Sequence, residues 1–233
     1  MGHHNRVVPA VAGGALLAYS LPSVVVGIAP LRRLAGVRDR VPDPEGVALT
    51  FDDGPHPQGT QAVLESLAAA DARATFFLVG EQVERNASLG AEIVAAGHEV
   101  ALHCHRHRNL LRLTPAQLRE DLRRALAAIG DSTAIAPRLY RPPYGIFTAA
   151  GLRLARQIGC EPWLWTRDGR DWRAKATAES IARRVTRRLR GGDVLLLHDS
   201  DAYSAPGSWQ RTARALPLVL DELGQRGLRP VRL

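Results

Sequence analysis

Apolar and polar positions follow two distinct rhythms along most of this chain. Short aliphatic runs bounded by Gly, Pro or Asp predict buried strands over 47–51, 75–79, 99–102, 139–141, 160–163, 194–197 and 230–233. Between them, apolar residues recurring at three- and four-residue spacing predict helices over 61–70, 88–96, 115–129, 149–158, 178–189 and 212–223. Thr114-Pro115-Ala116-Gln117 combines a cap, a first-turn proline and a capping-box glutamine at one helix start. Strands alternating with helices in this way predict an α/β fold with a parallel sheet, either open or closed into a barrel.

The rhythm is absent before residue 41. Val7 to Leu31 carries no charged side chain and is long enough to span a bilayer, although Pro9, Gly13, Gly14 and Pro22 interrupt it. An uncleaved membrane anchor is the first expectation. A cleaved secretory signal is the second, with Arg6 as a thin basic start and Pro30 spoiling the cleavage context. A buried or peripheral helix is the third. Arg32, Arg33, Arg38 and Arg40 follow the apolar run, and the positive-inside rule would then hold the rest of the chain on the cytoplasmic side. The expected organisation is therefore an anchor or signal with a basic linker over 1–40 and one catalytic domain over 41–233, entered through Pro42-Asp43-Pro44-Glu45-Gly46.

Composition changes this picture little. The 233 residues carry a formal charge of +8, almost wholly from arginine, since Lys175 is the single lysine. No nucleic-acid-reading motif accompanies the charge, so it favours anionic surroundings such as a phospholipid surface or an acidic polymer rather than DNA or RNA. On the helix expected from Ala178, Ile181, Val185 and Leu189 share one face, while Arg183, Arg184, Arg187 and Arg188 share the other. That is a solvated face or a contact with anionic lipid. Cys104 and Cys160 are too few for a disulfide scaffold, and no disulfide is expected. Nothing in the sequence sets the oligomeric state.

The chemistry-bearing residues cluster at strand ends. Thr50-Phe51-Asp52-Asp53-Gly54-Pro55 places two carboxylates at the end of the first strand, where alternation points neighbouring side chains in different directions. One carboxylate can then ligate a metal while the other stays free as a base, though paired Asp before Gly is also ordinary turn chemistry. His103 and His107 stand four apart after another strand, so a helical turn would put both imidazoles on one side. With Asp53 they form a two-histidine, one-carboxylate set with open positions for water and substrate. His98 and His105 read as surface or supporting residues. Cys104 reads as a weak candidate nucleophile, because no oriented base accompanies it. In Tyr140-Arg141-Pro142-Pro143-Tyr144-Gly145, Arg141 is a cation suited to orienting Asp52 and favouring its charged form, and one proline could be cis. Trp163-Leu164-Trp165-Thr166-Arg167-Asp168-Gly169-Arg170-Asp171-Trp172 and Asp193-Val194-Leu195-Leu196-Leu197-His198-Asp199 complete the set.

In order and spacing, these five groups resemble the motifs of NodB-homology polysaccharide deacetylases, carbohydrate esterase family 4. The resemblance covers the chain from about residue 45 to its end. It implies a distorted (β/α)7-8 barrel with its site at the C-terminal ends of the strands. It also implies Asp53, His103 and His107 as ligands of a divalent metal, most simply Zn, with Co, Ni or Mn as alternatives. Asp52 would be the base that takes a proton from water, and the backbone N–H of Tyr144 would be an oxyanion donor. His198 would be the acid that protonates the departing amine, with Asp171 orienting it and raising its basicity. Leu196 and Trp172 would wall a pocket for the acetate methyl. The implied reaction is N-deacetylation of N-acetylhexosamine residues in a cell-wall or chitin-like glycan. The alternatives are deformylation or deacetylation of a polyprenyl-linked amino sugar and, from a different class, a non-catalytic sugar-binding module. Cys104 departs from the Ser or Thr usual in the second motif, which places the hydrogen-bond support of the neighbouring ligands in question.

Overall fold

A computed structural model describes residues 29–233, so the apolar segment 7–31 lies almost entirely outside the described residues. The elements in chain order are α1 Ala29–Leu34, β1 Gly46–Asp52, α2 Gly59–Ala69, β2 Thr75–Leu78, α3 Gly80–Arg85, α4 Ala87–Ala95, β3 Glu99–Leu102 and α5 Pro115–Thr133. There follow β4 Leu139–Tyr140, α6 Ala149–Gln157, β5 Glu161–Pro162, β6 Arg167–Asp168, α7 Ala178–Thr186, β7 Val194–His198, α8 Ser208–Gln225 and β8 Arg229–Val231. Among the described residues no helix is long and apolar enough to cross a membrane.

The strands pair in the order β5-β4-β3-β2-β1-β7-β6, every pair parallel. β8 pairs with the first half of β1 (Gly46↔Arg229), and β2 pairs with the second half (Thr50↔Thr75). No pairing joins β5 to β6 among the described residues, so the sheet curls into a barrel that stays unsealed on that side. Residues 37–39 extend the β5 edge: Arg38 donates its N–H to Pro162 and accepts from Leu164, and Val37 joins the core.

Every residue of β1 is buried, as expected for a parallel strand covered on both faces. Its alternation separates two clusters. Val47, Leu49 and Phe51 pack with Phe76, Leu195 and the inward stripes of the helices, for example Leu122 and Ile129 of α5 and Ile181 and Val185 of α7. Ala48 packs on the opposite face with Phe77, Ala101, Leu139, Trp163 and Val194 in the barrel interior. Counting by twos from the interior residues leads to Thr50 and Asp52 on β1, His103 after β3, Arg141 after β4, and Leu196 and His198 on β7. The functional side chains are thus the upper layer of the barrel filling, at the C-terminal ends of parallel strands, where loops of a (β/α) barrel build sites.

Two local expectations differ from the structure. β6, α1 and α3 have no counterpart in the sequence pattern, because each is short: β6 is a two-residue strand paired with β7, and α1 and α3 are single six-residue helices. The cis peptide is Gly54–Pro55, not a bond in the Pro142-Pro143 pair. The capping box at Thr114 forms as read, with Gln117 N–H donating to Thr114 Oγ1 at 3.2 Å and Thr114 N–H to Gln117 Oε1 at 2.9 Å.

Candidate active site

Asp52 and Asp53 enter the same cavity by different means. Asp52 is the last strand residue and lies in the interior by alternation. Asp53 would face the other way if the strand continued. Its left-handed backbone, φ 79°, turns it back toward the interior. Two neighbouring carboxylates therefore share one site, a correction to the expectation that strand alternation alone separates them. Gly54 makes this turn sterically accessible, since a Cβ there would lie 2.4 Å from the Asp199 carboxylate.

No helical turn joins His103 to His107. The chain leaves β3 through Cys104 at φ 66° and continues as an irregular loop. That loop is held by the N-terminus of α3, with Gly80 and Glu81 N–H groups donating to Cys104 and His105 carbonyls at 3.0 and 2.9 Å. Asp121 of α5 also holds it, accepting the His105 N–H at 2.7 Å. The result still brings Nε2 of His103 to 3.5 Å and Nε2 of His107 to 3.2 Å from Asp53 Oδ1. One ligand atom from each of Asp53, His103 and His107 lies within 4.8 Å of the others.

The chemistry of this trio fits a divalent cation. Asp53 Oδ1 is buried and has no hydrogen-bond partner among the described residues, a costly state unless something else meets it. Burial opposes ionisation of Asp53. Contact with His103 and the charges of His198 and His107 outweigh burial and hold the carboxyl at about 2. Burial pushes His107 down to about 4, so near neutral pH its ring carries the lone pair a metal needs. His103 Nδ1 meets the Arg141 carbonyl at 2.7 Å, which leaves Nε2 for the cavity. His107 Nδ1 lacks such a partner among the described residues. Cys104 does not supply it: its thiol lies 3.7 Å from the Tyr140 hydroxyl, and burial raises it above the usual thiol range, which disfavours the thiolate a nucleophile needs. His98 and His105 are buried supports, not surface residues. His98 accepts the Ala74 N–H, and His105 anchors its loop through its backbone.

Two hydrogen-bonded pairs, Arg141–Asp52 and Asp171–His198, flank the trio. Arg141, fully buried, donates through Nη1 to Asp52 Oδ1 at 2.6 Å and to Thr50 Oγ1 at 2.9 Å, and its guanidinium lies 3.9 Å over the Phe77 ring. Asp52 Oδ2 is left toward the site, 3.8 Å from His103 Nε2. Across the cavity, Asp171 accepts from His198 Nδ1 at 2.8 Å, from the His198 backbone at 2.7 Å and from Thr212 Oγ1 at 2.7 Å. Burial works against the imidazolium of His198. The Asp171 carboxylate outweighs it and raises His198 to about 10.

Asp52, Asp53, His103, His107, Tyr144, Trp172, Leu196 and His198 all line one cavity of about 480 Å3. Tyr144 stands at its rim with φ 61°, its ring edge on His107. Gly145 follows at φ 66°, and a Cβ on it would meet the Trp165 ring at 2.7 Å. Two lining residues, Tyr203 and Ser204, lie outside the five sequence groups, and Trp165 lies in the fourth without an assigned role. Trp165 stacks beside Arg141 at 5.5 Å. Tyr203 lies 4.4 Å from His107 in a stacked arrangement and donates its hydroxyl to Glu81 at 2.6 Å. The lone aromatic of the Ser-, Asp- and Gly-containing loop after His198 was the available clue to Tyr203.

Comparison with known proteins agrees with this geometry. Residues 39–163 match the family model described as polysaccharide deacetylase. Over 185 residues the chain is 34% identical to a peptidoglycan-N-acetylglucosamine deacetylase of Bacillus cereus, covering 78% of this chain and 84% of that one. Over 188 residues it is 37% identical to a chitooligosaccharide deacetylase of Bradyrhizobium sp., covering 78% and 85%. Among solved structures, it is similar to a family 4 carbohydrate esterase from Streptomyces lividans in complex with acetate. That match has 33% identity and a TM-score of 0.72, covering 80% of this chain and 91% of that chain. The matched sequence, the curled parallel barrel and the Asp-His-His cluster at its mouth agree, and the chain belongs to the polysaccharide deacetylase family.

Proposed function

We propose that this protein is a metal-dependent N-deacetylase acting on N-acetylhexosamine residues of a glycan, of the cell-wall or chitin-like kind named for its relatives. The observation that carries the reading is the shared cavity. A three-ligand cluster lies between a carboxylate held by Arg141 and an imidazole held by Asp171. Two nitrogens and one carboxylate oxygen with open positions suit Zn, with Co, Ni or Mn as alternatives. Held by Asp53, His103 and His107, such an ion would supply Lewis-acid polarisation of the acetamide carbonyl and make water a competent nucleophile at neutral pH.

The residues of the chain do the rest. Arg141 occupies Oδ1 of Asp52, so Oδ2 is the atom that takes the proton from the attacking water. The Tyr144 backbone N–H is assigned to the oxygen that becomes negative. Asp171 fixes His198 with Nδ1 toward itself, leaving Nε2 to protonate the amine as the C–N bond breaks. Leu196 and Trp172 would exclude water around the acetyl methyl. The apolar run 7–31 supports attachment to a membrane, or export if it is cleaved.

The test is acetate release from N-acetylglucosamine oligomers and from purified peptidoglycan, before and after chelation and after returning Zn. Release that survives complete chelation, or no release from either glycan with metal bound, sinks the proposal. A second expected outcome concerns pH. Because Asp171 is what raises His198, Asp171→Asn should lower the pKa of His198, so the proton donor is lost at lower pH. The high-pH limb of the kcat/KM profile should move down by at least about one unit, with loss of rate at pH 8. A limb that stays in place would remove His198 from the role of acid.

A further inference from the structure

Beside the catalytic cavity lies an open cleft of about 680 Å3 between the loop after β6 and the solvent face of α7. Arg170, Arg173 and Lys175 line it from the loop, and Arg183, Arg184 and Arg187 line it from the helix and its end. The one carboxylate in the lining, Asp168, is engaged by Arg170 through its backbone N–H at 2.7 Å and by its guanidinium at 3.9 Å. Arg167 is turned away onto Asp193 and the Arg188 carbonyl. The side chains of Lys175, Arg184 and Arg187 have no ion-pair or hydrogen-bond partner among the described residues. A concave surface lined by one sign of charge focuses the field of those charges and raises the local concentration of anions.

The cleft joins the catalytic cavity. Asp168 lines both, and Arg173 of the cleft lies 4.9 Å over the ring of Trp172 of the cavity. We propose that this cleft binds carboxylate groups on the sugar residues next to the one being deacetylated, so that the preferred substrate is an acidic glycan. This rests on the deacetylase reading and narrows its substrate class. Guanidinium forks match carboxylates in a bidentate way. The concave form suits groups strung along a chain entering the cavity better than a flat bilayer surface, and Ala176 is the only aliphatic side chain in the lining.

The decisive experiment uses a matched pair: an N-acetylated oligosaccharide bearing lactyl carboxylates, and the same compound with those carboxylates converted to amides. Binding, KM and kcat are measured for both. At low ionic strength the wild-type chain should favour the acidic member about five- to tenfold in binding and KM, a preference that shrinks at about 0.3 M salt. The exposed double variant Arg184→Gln/Arg187→Gln, and separately Lys175→Gln, should bring that ratio toward one with no change in thermal stability. A wild-type ratio near one overturns the proposal, as does a preference that survives in the variants. Phosphatidylglycerol vesicles form the competing arm. Variants that lose vesicle binding while keeping the acidic-to-amide ratio would reassign the cleft to a membrane. Because binding is read directly, absence of acetate release from both compounds would sink the deacetylase proposal while the binding ratio still decides the cleft.

Discussion

His103→Ala is expected to abolish acetate release and empty the metal site together. His103 supplies one of three ligand atoms, and its ring is oriented by the Arg141 carbonyl 2.7 Å from Nδ1. Loss of a residue that merely supports a ligand typically costs about 10- to 100-fold in metal affinity, so loss of a ligand should exceed that. The acid and base groups act on a water and a carbonyl that a bound metal would activate, so they do not replace what the metal supplies when it is lost. Activity should fall more than about a thousandfold, with metal per chain, measured by elemental analysis, falling in step. A His103→Ala protein with full metal content would break the assignment of the trio.

Asp52→Asn is expected to separate chemistry from metal binding. The side chain keeps its shape and can still accept from Arg141 Nη1, but it can no longer take a proton at Oδ2. Metal content should stay at one per chain while kcat falls by about 10²- to 10⁴-fold. The substitution also leaves the Arg141 cation, fully buried, without its neutralising carboxylate. Breaking a buried pair in this way costs about 3–5 kcal/mol, so the variant should unfold at lower temperature as well. Rate measured well below the new melting point distinguishes the two effects. A variant that retains wild-type kcat would dismiss Asp52 as the base.

Much of this site can be read before any folding is considered. The alternation of β1 sets Ala48, Thr50 and Asp52 on one line, and the same count of two leads from Ala101 to His103, from Leu139 to Arg141 and from Val194 through Leu196 to His198. That regularity comes from local sterics of an extended chain, which is why strand residues were legible. The left-handed turns at Asp53, Cys104 and Tyr144 were not, because each adopts a positive φ that side chains disfavour. Helical spacing gave the right pairing of His103 with His107 for the wrong reason: a loop anchored by α3 and Asp121 does the work. Tyr203 reaches the cavity from a loop with no periodicity at all.

By itself, then, the order of residues determined the parallel α/β architecture, the chemical types available at each strand end and the family they resemble. Those follow from local backbone preference and from side-chain chemistry, both written residue by residue. Only the tertiary structure decided that two adjacent carboxylates share one cavity, that His198 and Asp171 face them across it, and that a row of arginines on α7 closes into a cleft beside it. These depend on strand register, on left-handed turns held by distant partners and on contacts between segments far apart in the chain, none of which a local pattern encodes.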